Sequence, residues 1–112
     1  MSRFASTQNK GFQMKFENGL TISVQFGIMN YCERRKFDLD YLSEMKTDIV
    51  NIINSKIDIV QSANAEIAIW DENDNWFNFG TDQVKGWCSP DEVADWIHKV
   101  KSATTIKDIE NT

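Results

Sequence analysis

From Phe12 the chain alternates apolar and polar positions: Phe12, Met14 and Phe16, then Leu20, Ile22, Val24 and Phe26. Asn18-Gly19 stands between the two runs, the strongest short-range signal for a β-hairpin. A two-residue loop would pair Glu17 with Leu20 and mix the faces. A three-residue loop, Glu17-Asn18-Gly19, pairs Phe16 with Leu20, Met14 with Ile22 and Phe12 with Val24. It keeps one face apolar, leaves Gln13, Lys15, Thr21 and Ser23 on the other, and gives Gly19 a positive φ.

A second hairpin is expected from AEIAIW, DENDN and WFNF. With Asp71 to Asn75 as its loop, Trp70 pairs with Trp76, Ile69 with Phe77 and Ile67 with Phe79. The last two pairs form a core face. The first sets two tryptophans beside Glu66, Ala68 and Asn78, on a face that otherwise reads polar, so another element or a ligand should cover them. A short strand through Val84 to Trp87 follows.

Two helices are expected. Leu42, Met45, Ile49, Ile52 and Ile53 fall at helical spacing within residues 40–56, with Asp38 or Asp40 as cap. The second opens on Ser89-Pro90-Asp91-Glu92, which writes out an N-cap, a first-turn proline and a capping box. Val93, Trp96, Ile97 and Val100 then repeat at i, i+3, i+4 and i+7. The fold class that follows is α+β: an antiparallel sheet of four to five strands, built from two hairpins, with two amphipathic helices packed on it. Residues 1–10 read as a loose N-terminus, 11–102 as one domain and 103–112 as a polar, frayed tail.

Composition adds bounds. The 112 residues suit one domain, and 41% hydrophobic with 26% charged residues is globular rather than disordered. No apolar run approaches the roughly 20 residues that span a bilayer. MSRFASTQNK has no apolar signal core, which predicts a cytosolic chain. Two cysteines, Cys32 and Cys88, make no disulfide framework and read as free thiols.

The net charge of −5 is uneven. Residues 66–95 carry eight acids and one base, hence −7, while the segments on either side each come to +1. Direct nucleic-acid binding needs a basic face and is disfavoured. The acidic stretch from Glu66 to Asp95 suits solubility, or a basic protein partner.

Candidate chemistry is sparse. Asp71, Asn73, Asn75 and Asp82 match four ligand positions of a calcium loop, but Trp76 stands where the sharp turn wants Gly and no Glu closes the site. A polar hairpin turn explains the same letters. Cys32, Cys88 and His98 lack the paired spacing of a zinc site. Cys32 lies beside Arg34, Arg35 and Lys36, cations that would favour a thiolate, yet His98 is the only imidazole to serve as base. There is no Gly-rich phosphate loop or nucleophile elbow, and no cofactor is expected. Binding is the stronger reading: Tyr31, Arg34 and Arg35 sit just beyond the first hairpin, where an arginine fork recognises phosphate or carboxylate. With Trp70, Trp76 or Trp87 they would hold a small anionic ligand by charge and stacking. Trp96, on the apolar stripe, reads as core.

GFQMKFENGLTISVQFG, NYC at Asn30 to Cys32, AEIAIWDENDNWFNFG and VKGWCSPDEVADWI resemble, in that order, a family of small uncharacterised proteins of tailed bacteriophages and prophages. The resemblance spans about residues 11–35 and 64–98 and passes on no functional residues. It implies a phage accessory protein of the host-takeover or counter-defence type, acting in the host cytoplasm. The leading expectation is therefore a non-catalytic binding protein that sequesters a small anionic ligand such as a nucleotide signal. The alternatives are an acidic module that binds a host protein and a cysteine-dependent enzyme; homo-oligomer formation is compatible with any of them.

Overall fold

A computed structural model describes residues 1–7, 10–27 and 61–111. It shows one five-stranded antiparallel sheet, β1 (Arg3–Ser6), β2 (Gly11–Lys15), β3 (Thr21–Gln25), β4 (Ala65–Trp70) and β5 (Lys85–Cys88), in the spatial order of the chain. Helix α1 (Pro90–Ser102) and a 3₁₀ helix (Ile106–Asn111) complete the described elements. The architecture is α+β. The helix expected over residues 40–56 lies outside the described residues.

The first hairpin has the register that the alternation demands: Met14 pairs with Ile22 and Phe12 with Val24. The Phe16 amide donates to the Leu20 carbonyl (2.9 Å) and the Gly19 amide to the Phe16 carbonyl (3.0 Å), closing a three-residue loop with Gly19 at φ 86°. β4 then pairs with β3, Ile22 to Ile69 and Val24 to Ile67, extending the same apolar face. Helix α1 begins as its sequence dictates: the Ser89 hydroxyl accepts from the Glu92 amide (3.1 Å), and the Glu92 carboxylate accepts from the Ser89 amide (3.2 Å). Its buried Val93 and Val100 join Leu20, Ile22, Val24, Ile67 and Ile69 in one core, with Trp96 and Ile97 packed against it.

Three expectations are corrected. Residues 1–10 are not simply loose: Arg3–Ser6 forms β1, in unbroken register with β2 from Arg3 opposite Lys15 to Ser6 opposite Phe12. β2 would otherwise leave its outer row of amides and carbonyls to water, a need that no hydropathy pattern in MSRFAS reveals. The tail is not frayed through its length, because Ala103 and Ile109 are buried and Ile106 packs on the core. Ile106 and Ile109 lie three apart, which puts them on one side of a 3₁₀ helix. Finally, Trp76 to Phe79 does not continue as a strand. Trp76 makes one bridge to Trp70 and the Phe77 amide donates to the Ile69 carbonyl (2.8 Å), but the place opposite Ile67 goes to Lys85. The chain turns away at Phe79, whose amide donates to the Asp82 carbonyl, and the rings of Phe77 and Phe79 meet Trp96 at 5.8 and 5.1 Å. Aromatic packing on α1 outweighs further ladder pairing here.

Candidate functional site

Two tight turns lie side by side at one end of the sheet. Around the second, the Asp71 amide donates to the Asn75 carbonyl (3.0 Å) and the Asp74 amide to the Asp71 carbonyl (3.2 Å), the same pattern that encloses Glu17-Asn18-Gly19. Glu72-Asn73-Asp74 is therefore a copy of that loop, with Asp74 at φ 61° where the first has Gly19. The repeated Glu-Asn step was the sequence signal for this likeness. The turns touch: a Cβ on Gly19 would meet the Glu72 carboxylate at 3.0 Å, and Glu72 pairs with Lys15 at 3.3 Å.

Asp71 organises its turn. One carboxylate oxygen accepts from the amides of Asn73 and Asn75 (both 2.9 Å), and the other from the Asn75 side chain (3.0 Å). These bonds, led by the Asn75 side chain, hold the Asp71 carboxyl below its ordinary pKa. Its oxygens serve the turn. Among the described residues no group of three or more His, Cys, Asp or Glu side chains is placed to hold a metal ion. Because the folded pKa is depressed, this contribution to stability is full above the unfolded carboxylate range and is lost as pH falls through the folded value. Asp71→Asn should flatten the acid limb of melting temperature against pH, measured by circular dichroism, while wild type keeps falling.

The aromatic part of the site lies along the outer edge of β4. Trp70 and Trp76 stack, with ring centroids 4.8 Å apart and planes at 29°, and Trp76 stays 41% exposed. Further along, β5 carries a bulge: Ala65 pairs with Cys88 but Ile67 with Lys85, so Gly86 and Trp87 together oppose Glu66. Trp87 sits there at φ 59° and is 56% exposed. Positive φ is a strained conformation for a bulky residue, costing on the order of 1–2 kcal/mol. Gly86, next to an exposed aromatic, was the only sequence hint of a bulge. From the position of Trp76 to that of Trp87 is four residues of β4, roughly 13 Å.

The expected site residues thus separate. Trp70 and Trp76 come together. Trp87 shares their edge without stacking on another ring among the described residues. Tyr31, Arg34 and Arg35 lie outside the described residues, as does Cys32. Trp96 is a core residue, as expected, with Lys99 4.6 Å above its ring. Cys88 is fully buried, and loss of water around it raises its thiol pKa; His98, on α1, is exposed. The acids of this region face outward: Glu72, Asp74, Asp82, Asp91, Glu92 and Asp95 are all exposed. Among the described residues no helix is long and apolar enough to cross a membrane. Comparison with protein-family models, with curated proteins and with solved structures finds no match.

Proposed function

We propose that this chain is a non-catalytic binding protein, of the phage accessory class its sequence blocks resemble, that docks a basic surface of a host protein on the outer edge of β4 and β5. The observation that carries this reading is Trp87, a large apolar side chain held out at the sheet edge at positive φ. Strain retained at an exposed aromatic points to use of that side chain. Trp76 supplies a second exposed anchor, and the net negative charge of residues 66–95, whose acids are largely exposed, suits a basic partner.

The test separates binding from folding. Immobilised wild-type protein should retain a bacterial partner whose release increases with salt. Trp87→Gly, which relieves the positive φ, should raise the melting temperature or leave it unchanged, with a gain of up to about 1 kcal/mol. The same variant should weaken retention by about 30-fold, as loss of a central tryptophan does. Retention that ignores both salt and Trp87→Gly would refute this reading.

Capture of a small anionic ligand has its own support. Arg3, Lys15, Thr21, Trp70 and Trp76 occupy one row of register partners across the sheet, in which Lys15 is paired with Glu72 and Thr21 is buried, leaving Arg3 and the stacked tryptophan pair at its two ends. Stabilisation by a nucleotide that disappears in Trp76→Ala would favour it over the protein partner.

A further inference from the structure

The two edges of the sheet are finished differently. At β5 the ladder is broken by the bulge at Gly86 and Trp87, a device that discourages further pairing. At β1 nothing interrupts the register, and the strand contains neither proline nor acid. Its outward hydrogen-bonding groups can be identified. The Thr7 amide donates to the Gly11 carbonyl, so Thr7 and, by alternation, Ala5 and Arg3 bond toward β2. The amides and carbonyls of Phe4 and Ser6 therefore point away from the sheet. Phe4 opposes Met14, on the apolar face, and is 78% exposed. A regular edge with a bare phenylalanine is the pairing template that soluble proteins usually blunt.

We infer that β1 is a self-association edge: two copies of this chain pair antiparallel through Arg3–Ser6 to make one continuous ten-stranded sheet. The parity of the strand selects the register. A two-fold axis normal to the sheet keeps each face continuous only if paired positions lie on the same face, so Phe4 opposes Phe4 of the second copy, or the strands slip by whole steps of two. With Phe4 self-paired, the outward groups of the two Phe4 residues bond to each other, and their rings meet beside Met14. Arg3 then opposes Ala5 of the second copy, so the two arginines do not face one another. A foreign strand would need its own apolar residue at that point, whereas a second copy brings one. The edge is distinct from the Trp76 and Trp87 surface, and the two readings stand or fall separately.

Sedimentation of the full chain from low to high micromolar concentration should show a monomer–dimer equilibrium. Phe4→Lys should weaken dimerisation about tenfold or more, with an unchanged circular dichroism spectrum because the side chain is already exposed. Phe4→Cys supplies the positional readout. A hydrogen-bonded antiparallel pair holds its Cα atoms about 5.5 Å apart, within disulfide reach, so this variant should link to itself through position 4 under mild oxidation. Ala5→Cys should link far less. A chain that stays monomeric throughout overturns the inference. So does a dimer that survives Phe4→Lys, or one in which Phe4→Cys forms no position-4 link.

Discussion

Gly11→Ala should cost about 4 kcal/mol of unfolding free energy, and with it roughly 15 °C of melting temperature. Gly11 lies within β2 at φ 155°, and a Cβ there would collide with the Val24 carbonyl oxygen and stand 2.9 Å from the Gln25 Cα. Both obstacles are backbone of the neighbouring strand, so no rotamer change relieves them, and moving β3 disturbs its pairing with β4. Gly80 is the natural control. It too has positive φ, 126°, but a Cβ there meets nothing within 4 Å. Gly80→Ala isolates the cost of backbone conformation, about 1–2 kcal/mol. Equal losses from the two variants in parallel thermal melts would show that the close approach of β2 to β3 is not what Gly11 provides.

The second large effect is expected at Asn18. Its side-chain amide donates to the carbonyls of Val100 (2.8 Å) and Ala103 (2.6 Å), with Lys101 at 3.4 Å, while its oxygen accepts from the Leu20 amide (3.0 Å). A turn residue thereby satisfies the end of α1, whose last carbonyls have no partner within the helix. Asn18→Ala removes the donor and should cost about 2 kcal/mol. Asn18→Asp should cost more, about 3–4 kcal/mol near neutral pH, because it sets a carboxylate against carbonyl oxygens at the negative end of a helix. The introduced carboxyl would have a raised pKa in the folded state. Its penalty is then full above that value and fades as pH falls and the group becomes a donor. Urea melts of both variants at acid and neutral pH would check the order. An Asp variant as stable as the Ala variant at neutral pH would mean that the amide does not serve the helix end.

The two positions mark how far the sequence could be read. The first hairpin and the start of α1 were legible because their signals are local: Asn-Gly between alternating runs, and Ser-Pro-Asp-Glu before an apolar stripe. β1 was not, since one phenylalanine among polar residues is no pattern and the strand exists to complete β2. The role of Asn18 as a clamp on α1 was hidden for a related reason, because its partners lie 82 to 85 residues away. Of the candidate site, the pairing of Trp70 with Trp76 followed from the loop between them. The exposure of Trp87 depended on a bulge, which follows from mismatched register rather than from composition. The union of Trp87 and the Trp70 pair with the arginines near Tyr31 was an inference from chemistry alone, and the described residues contain only its aromatic half.

The register partners Gln25 and Glu66 bear on how such a chain can change over evolutionary time. β3 ends and β4 begins at adjacent points of the sheet, with residues 26–64 between them in sequence. Closing a longer loop costs little, about 0.6 kcal/mol for each doubling of a flexible one. The opposite end has no such latitude: two copied turns, a glycine and an aspartate at positive φ, and a helix end clamped by Asn18 all meet there. Descendants of this protein are therefore free to diverge in length and content at one end of the sheet while the other end holds its spelling.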